Sequence, residues 1–214
     1  VSPLLAESWE VSPDLKTYTF KLRRGVQFHN GEPFNAHTVK FAFDRAAAEK
    51  STNKDKRTFA ALSTQVVDEY TVVLLNKEVD PDFLFLMGQA TAIITEPKSA
   101  DTNATKPVGT GPYVLAGWNK GASITLSQYP AHRQAAAIKL KRATFKFISD
   151  PAAQTAALLS GDLDVFVRVP AYRSLAQFKA NPRFQVIVSG SRAKTILAMN
   201  NARKPLDDVR VRRA

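Results

Sequence analysis

An alternation of apolar and polar residues near the beginning of the chain predicts a half-buried strand. Tyr18, Phe20 and Leu22 fall on one face of that strand, because successive side chains of a strand point to opposite sides. Val26 and Phe28 predict a short return strand, which turn-forming residues then end. The opening of the chain is therefore expected to be a hairpin.

A change of period after this hairpin predicts an amphipathic helix. Val39, Ala42, Phe43 and Ala46 recur at three- and four-residue steps, so they share one face of a helix. Asn35 stands where its side-chain oxygen can accept a hydrogen bond from the first turn and cap the helix.

Shorter apolar patterns predict further elements in the middle of the chain. Residues 71–75 have the composition of a strand. The pair Asp80-Pro81 predicts the start of a short apolar helix that should be buried. Residues 113–115 predict another strand, and the alternation at 123–126 predicts its hairpin partner.

The last third of the chain predicts a strand, a helix and a second strand in succession. The helix spans residues 152–160, because Asp150 can cap it and Gly161 can end it. The flanking strands are predicted at 145–148 and 162–167, and a unit of this kind favours parallel pairing. The remaining predicted elements are a helix at 172–179, strands at 184–188 and 195–199, and the start of a helix at 205–208.

Composition and charge narrow the class of protein. The chain has 214 residues, of which 44% are hydrophobic, and no cysteine, so a packed core is feasible while disulfides and thiolate metal sites are excluded. The net charge is +11, but the cations are scattered and no nucleic-acid motif accompanies them, which favours a solvated basic surface. No apolar run approaches the roughly 18 residues of a membrane-spanning helix. The first residues lack the pattern of a signal peptide, so any export signal is expected to lie outside this sequence.

No set of residues has the spacing of a catalytic or metal site. His29, His37 and His132 are far apart in the sequence, which favours surface or turn positions over metal ligation. The glycines of residues 109–111 are too few and wrongly spaced for a phosphate-binding loop, and no nucleophile motif is present. We therefore expect no enzyme activity, no metal and no cofactor.

Four ordered blocks of sequence resemble one family of proteins. Residues 5–46 contain Leu-Ala-Glu-Ser-Trp followed by Val-Gln-Phe-His-Asn-Gly-Glu-Pro-Phe-Asn-Ala, and residues 107–118 contain Pro-Val-Gly-Thr-Gly-Pro-Tyr-Val-Leu-Ala-Gly-Trp. The other two blocks are Gln-Thr-Ala-Ala-Leu-Leu-Ser-Gly-Asp-Leu-Asp-Val-Phe at 154–166 and the segment 199–214. In this order the blocks resemble the peptide- and nickel-binding proteins of extracellular solute-binding family 5.

This resemblance implies a mixed-sheet α/β lobe of a two-lobed periplasmic-binding-protein clamshell of type II, cluster C, which is incomplete in this chain. It divides the chain into a peripheral subdomain at residues 1–106, a main α/β subdomain at 107–190 and the start of the crossing into the second lobe at 191–214. The implied function is the capture of dipeptides or oligopeptides by the substrate-binding component of an ABC importer. The implied location is the periplasm or, with a lipid anchor, the outer face of the cell.

The implied partners are a small peptide or similar solute and the membrane permease of the importer, without nucleic acid, and the full-length protein is expected to be a monomer. Two alternatives stay open. One is a receptor of the same family for a nickel chelate or another small solute. The other, from a different class, is a basic scaffold or nucleic-acid-associated module, which steeply salt-dependent binding to any polyanion would support.

The exit of the strand predicted at 162–167 is the first candidate ligand site. Ligands of open α/β sheets bind beyond the carboxyl ends of parallel strands, and the resemblance implies the same place for Val167, Arg168 and Val169. Alternation puts Arg168 beside Phe166, where its guanidinium could hold a carboxylate by two hydrogen bonds. Pairing of Arg168 with an ordinary surface carboxylate is the alternative.

A second candidate site follows from the resemblance to the nickel-binding branch. It places Phe59, with Arg57 or Lys56 beside it, at an aromatic and basic wall. Where that branch carries an arginine, this sequence has the segment from Gln89 to Thr91, which favours peptide over chelate.

A constrained crossing is predicted where glycines and a proline let one backbone segment pass close to another. This hinge or structural segment consists of Gly109, Thr110, Gly111, Pro112 and Tyr113.

Overall fold

The computed structural model describes residues 1–167, 172–190 and 196–213, and its secondary structure begins with an antiparallel sheet of four strands. The strands are paired in the order β1-β2-β4-β3, so the hairpin β3-β4 inserts β4 beside β2. Their bounds are Ala6–Val11 (β1), Thr17–Leu22 (β2), Leu62–Asp68 (β3) and Thr71–Asn76 (β4).

One face of this first sheet carries the core. The predicted alternation is confirmed, because Tyr18, Phe20 and Leu22 are buried while Lys21 is exposed. Across the ladder Phe20 pairs with Val72, and such cross-strand neighbours stabilise a sheet by packing on one face. The buried cluster consists of Tyr18, Phe20, Leu22, Phe28, Phe34, Ala36, Val39, Ala42, Phe43, Phe59, Val72, Leu74 and Phe83.

Three helices belong to the same region: α1 (Ala36–Ala47), α2 (Lys56–Ala61) and α3 (Phe83–Met87). The predicted cap of α1 is confirmed, because Asn35 Oδ1 accepts a hydrogen bond from the backbone N–H of Thr38 at 3.2 Å. Thr38 Oγ1 in turn accepts from the backbone N–H of Asn35, also at 3.2 Å, so two N–H groups at the helix start are satisfied reciprocally.

Two local predictions in this region need correction. The return strand expected at Val26 and Phe28 is reduced to a single bridge between Gln27 and Pro33, because the turn follows too soon for a ladder to extend. The helix expected from Asp80-Pro81 begins at Phe83, and it is only partly buried, since Phe85 is 61% exposed.

A second antiparallel sheet has three strands in the order β5-β6-β7. Its bounds are Tyr113–Asn119 (β5), Ser123–Gln128 (β6) and Arg142–Lys146 (β7). The predicted hairpin of β5 and β6 is confirmed. The strand predicted at 145–148 begins three residues earlier, because its ladder with β6 runs from Arg142 to Lys146.

Residues Val1–Phe147 form one compact unit that contains both sheets, and Ile148–Ala214 form a second unit. The second unit contains the helices α4 (Pro151–Ser160), α5 (Leu175–Ala180) and α6 (Val209–Arg213). The predicted caps of α4 are confirmed, because Asp150 Oδ1 accepts from the backbone N–H of Ala153 at 2.7 Å and Gly161 ends the helix with φ of 91°.

The strands predicted at 162–167 and 184–188 are wrong, since these residues form no ladder. Of the strand predicted at 195–199, residues 196–199 are also irregular, and residue 195 lies outside the described residues. A strand exists only where a neighbour accepts and donates its backbone hydrogen bonds, and every ladder among the described residues is antiparallel and lies within Val1–Phe147. The helix predicted at 172–179 is confirmed as a 3₁₀ turn leading into α5.

Within the described ranges, none of the helices has both the length and the apolarity that crossing a membrane requires. The division of the chain near residues 106 and 190 stays a prediction.

Candidate functional site

An apolar cavity of about 680 Å³ lies beside the first sheet. Gln89, Gly109 and Thr110, all singled out from the sequence, lie on its wall. Most of its lining is aliphatic or aromatic, so it suits apolar side chains of a small solute. The apolar lining includes Leu5, Ala6, Trp9, Phe20, Leu22, Phe34, Val39, Phe43, Leu84, Met87, Ala92, Ile93 and Ile94.

A polar cavity of about 480 Å³ lies at the C-terminal end of α1. Thr91, another residue singled out from the sequence, lies on its wall. Its lining consists of Ala42, Arg45, Ala46, Ala48, Lys50, Ser51, Thr52, Asn53, Ala90, Thr91, Ile93, Thr95 and Asn103.

The two cavities share one wall, which we call the dividing segment (residues 88–95). Gln89 faces the apolar cavity, Thr91 faces the polar cavity, and Ile93 lines both. Asn53 holds this segment in place, because its Nδ2 donates to the carbonyl of Thr91 at 2.8 Å. The hydroxyl of Thr91 donates to a carboxylate oxygen of Asp55 at 2.5 Å. The dividing segment is therefore fixed to the loop that precedes α2.

Phe59 and Arg57 lie on α2 but have different surroundings. Phe59 is 3% exposed, and its ring centroid is 5.2 Å from that of Phe43, so it packs in the core and lines neither cavity. Arg57 is exposed, and the ammonium of Lys56 donates to the carbonyl of Glu49. Ligand contact by Phe59 or Arg57 stays a prediction.

The predicted crossing at Gly109–Tyr113 is clamped by His29. The backbone N–H of His29 donates to the carbonyl of Gly109 at 2.8 Å, and Nε2 lies 2.9 Å from the carbonyl of Gly111. The backbone N–H of Gly109 donates to Nδ1 of His29 at 3.3 Å. Because one ring nitrogen faces a carbonyl and the other faces an N–H, the neutral Nε2–H tautomer satisfies both contacts.

Tyr129 supports the clamp from the second sheet. Its hydroxyl donates to the carbonyl of Phe28 at 3.1 Å, and its ring lies edge-on to the His29 ring at a centroid distance of 4.9 Å. Its backbone N–H donates to the carbonyl of Pro112 at 2.8 Å. Tyr113 is fixed separately, since its hydroxyl donates to the carbonyl of Leu140 at 3.0 Å. The crossing is thus held by His29, from the turn before α1, and by Tyr129, which directly follows β6.

Glu96 is a buried carboxylate directly after the dividing segment, with 1% exposure. Oε1 accepts from the backbone N–H of Lys98 at 2.7 Å, and Oε2 accepts from Ser99 at 2.8 Å and from Asn30 Nδ2 at 2.9 Å. Burial alone would raise the pKa of Glu96, but the hydrogen bonds from Lys98, Ser99 and Asn30 outweigh it and hold that pKa below 4.5. Glu96 caps the 3₁₀ turn Pro97–Ser99 and ties it to the turn that carries His29.

The first candidate site from the sequence lies in the second unit. Val167 is 90% exposed and irregular, so it does not leave a strand as expected. Arg168 and Val169 lie outside the described residues. Ligand binding at these three positions stays a prediction.

Metal-ligating side chains do not cluster in the described ranges, where no group of three or more His, Cys, Asp or Glu residues could hold an ion. Burial lowers the pKa of His132, and the neighbouring Arg133 and His29 lower it further.

Comparison with known proteins identifies the family of this chain. The family model of the middle region of bacterial extracellular solute-binding proteins, family 5, matches residues 1–214. The chain belongs to this family. In an alignment 219 residues long, the chain is 31% identical to the glutathione-binding protein GsiB of Salmonella choleraesuis (strain SC-B67). This match covers 100% of this chain and 43% of that protein.

Two solved structures of periplasmic binding proteins share its fold. NikZ from Campylobacter jejuni, in complex with Ni(L-His), matches with a TM-score of 0.85 and 25% identity over 98% of this chain and 43% of that chain. DppA from Helicobacter pylori, in complex with the peptide STSA, matches with a TM-score of 0.74 and 27% identity over 85% of this chain and 40% of that chain. The fold is thus the mixed α/β fold of type II periplasmic binding proteins, as expected. The chain spans less than half the length of these relatives.

For this family 5 chain, sequence reasoning singled out Gln89 and Thr91 as ligand-contacting positions and Gly109 and Thr110 as structural ones. Each of the four lines one of the two cavities, and ligand contact stays a prediction. Sequence reasoning missed the clamp formed by His29, which had been expected only at a surface or turn. It also missed Arg45, Lys50, Tyr129 and Glu96, whose surroundings are set by long-range contacts rather than by a local motif.

Proposed function

We propose that the protein is the substrate-binding component of an ABC importer and captures dipeptides or oligopeptides outside the cytoplasmic membrane. The observation that carries this proposal is the pair of cavities on either side of the dividing segment. A peptide combines apolar side chains with polar backbone and charged ends, and one apolar and one polar cavity together match that combination.

Two relatives support a peptide as the solute. GsiB is a glutathione-binding protein, and DppA was solved with a four-residue peptide, STSA. Arg57, Phe59, Gln89, Thr91 and Val167 are the proposed ligand-contacting positions, together with Arg168 and Val169. The backbone clamp at Gly109–Gly111 would act as the structural support of this lobe rather than as a ligand contact.

A nickel-chelate receptor is the second candidate, and the likeness to NikZ in complex with Ni(L-His) favours it. Since the described residues hold no cluster of metal ligands, such a chelate would have to bring most of its own donor atoms. The resemblance to the nickel-binding branch implies an arginine where this chain has the segment from Gln89 to Thr91, and the lack of that arginine favours peptide.

The remaining parts of the proposal follow from the role of a receptor. The protein would work in the periplasm or on a lipid anchor, deliver its solute unchanged to a membrane permease, act as a monomer and bind no nucleic acid. The chain would divide into a peripheral subdomain at 1–106, a main subdomain at 107–190 and a crossing at 191–214. A basic scaffold that binds polyanions is the alternative from another class.

The proposal is tested by purifying the exported protein without denaturation and identifying the solutes it carries by mass spectrometry. Peptides are expected, followed by saturable binding of the identified peptide and weaker binding of Ni(L-His) in calorimetry. Ni(L-His) bound more tightly than any peptide would select the second candidate. Hydrolysis of the bound peptide, abolished by one substitution, would contradict a transport role, and salt-sensitive binding of any polyanion would favour the scaffold.

A further inference from the structure

The polar cavity carries positive charge without a balancing carboxylate. Two cations, Arg45 and Lys50, line it, and none of its thirteen lining residues is Asp or Glu. Among the described residues neither cation forms an ion pair, and the ammonium of Lys50 also has no hydrogen-bond partner there. Unpaired cations around a concave surface favour occupation by an anion.

Arg45 is held in position while most of its donors stay available. One N–H of its guanidinium donates to the carbonyl of Ala100 at 3.2 Å, across 55 residues of sequence. A guanidinium has five N–H donors in a rigid plane, so this contact orients the group without exhausting it. An oriented guanidinium can bind both oxygens of a carboxylate at once.

One neutral side chain of the lining, Asn103, has an amide donor that is not engaged by any described residue. Asn103 Oδ1 accepts from the backbone N–H of Val108 at 2.8 Å, so the carbonyl end of this amide is engaged and its NH₂ group remains. Asn53 is committed at both ends, to Thr91 and to the backbone N–H of Asp55. Asp55 does not line the cavity, and its carboxylate receives the hydroxyl of Thr91.

Small side chains create the room for an occupant. Ala42 and Ala46 of α1 and the following Ala48 form one side of the cavity, where larger side chains would fill it. Of the nearby acidic groups, Asp44 pairs with Lys40 at 2.8 Å and Glu49 is not part of the lining.

We infer that the polar cavity is a carboxylate subsite of this lobe, which takes the free C-terminus or an acidic side chain of the solute. This inference rests on the proposed function and adds the chemical class that the receptor recognises. Arg45 supplies the two-pronged contact, Lys50 supplies a second positive charge, and the amide of Asn103 completes the donor set.

The test uses succinate as a carboxylate probe and succinamide as its uncharged analogue. Backbone amide NMR spectra of the protein are expected to show saturable shifts confined to residues 42–53 and 90–103 with succinate and none with succinamide. The double variant Arg45→Gln/Lys50→Gln should weaken succinate binding about tenfold or more, since hydrogen bonds to charged groups are strong. The variant Ala46→Leu, which keeps both charges and fills the space, should weaken it as well.

The matched control is Lys54→Gln/Lys77→Gln, which removes the same charge from exposed positions that line neither cavity. It should bind succinate like the unaltered protein. Equal weakening by both double variants, shifts spread over the whole surface, or equal binding of succinamide would overturn the inference. A native-like spectrum of each variant shows that it folds. If the double variant does not fold, succinate binding by Ala46→Leu and by the single variants Arg45→Gln and Lys50→Gln decides whether the inference holds.

Two peptides separate this inference from the proposed function. Trialanine and its C-terminal amide differ only in the terminal carboxylate, and the acid should bind about tenfold or more tightly. Equal binding of the two forms overturns the carboxylate subsite and leaves peptide capture standing. Localised succinate shifts without binding of any peptide support the subsite and contradict peptide capture.

Discussion

The two sheets of Val1–Phe147 bury their apolar faces to different depths. In the first sheet Phe20, Val72 and Leu74 are at most 9% exposed. In the second sheet no residue is buried, and Trp118 and Phe145 are 42% and 52% exposed although they lie in one cross-strand row with Ile124. Both sheets show the same alternation in sequence. Alternation therefore predicts that a strand forms, whereas the depth of burial depends on what packs against it.

The largest expected difference in stability is between aromatic substitutions in the core of the first sheet and in the second sheet. Phe28→Ala removes a ring with 0% exposure from the first core and should lower the free energy of unfolding by about 3–5 kcal/mol. Phe145→Ala in the second sheet should cost about 1 kcal/mol, because half of its ring area is already in water. Denaturant unfolding of the two variants measures both values, and equal losses would break the contrast between the sheets.

The next effect concerns Glu96, which anchors the 3₁₀ turn to the first region. Glu96→Gln keeps the size of the side chain but turns an NH₂ group towards donors of Lys98, Ser99 or Asn30. It should lower the free energy of unfolding by about 1–3 kcal/mol, the cost of an unsatisfied buried donor.

The same variant has a defined dependence on pH. Because the pKa of Glu96 is lowered in the folded state, its stabilising effect is present above the ordinary value of 4.5 and is lost as the pH falls through the folded-state value. The unaltered protein should therefore lose more stability than Glu96→Gln on acidification below 4.5. Parallel acid-unfolding curves for the two proteins would show that Glu96 is not the responsible group.

A smaller effect is expected at the cap of the helix that covers the first sheet. Asn35→Ala removes the side-chain oxygen that accepts from the Thr38 N–H but keeps its own backbone N–H bond to Thr38 Oγ1, and it should cost about 1 kcal/mol. Asn35→Ser keeps a capping oxygen and should cost less. Thermal unfolding of the pair measures the difference. An unchanged midpoint for Asn35→Ala would mean that packing alone fixes the start of α1.

The smallest effect is expected in the second sheet. The hydroxyls of Thr125 and Thr144 lie 3.2 Å apart on its polar, exposed side. Thr144→Val removes this bond but keeps the branched shape that suits a strand, so stability should change by about 0.5 kcal/mol or less. A loss above about 1 kcal/mol would show that the second sheet depends on its polar face.

Local chemistry explains which elements the sequence predicted. The helix α1 and the helix α4 carry their own start signals, Asn35 and Asp150, and Gly161 supplies a residue that adopts positive φ at low cost. The hairpin of β5 and β6 joins strands that are neighbours in sequence. In each case the residues that specify the element lie within a few positions of one another.

Long-range partners explain what the sequence missed. The strand predicted at 162–167 has the right composition but lacks a ladder partner among the described residues. His29 contacts Gly109 and Gly111 across about 80 residues, and Arg45 contacts Ala100 across 55. No local pattern marks such pairs. The candidate positions Gln89 and Thr91 came from the family resemblance, which carries positional information that periodicity lacks, and their ligand contact stays a prediction.

The dividing segment gives the two cavities a shared wall. A single stretch of backbone bounds both, and Asn53 and Asp55 hold it at Thr91. Any displacement of this stretch that an occupant of one cavity stabilises changes the free energy of filling the other, and the change is reciprocal. The apolar and carboxylate-bearing parts of a solute would then be selected jointly, as a matched pair, rather than by two independent preferences.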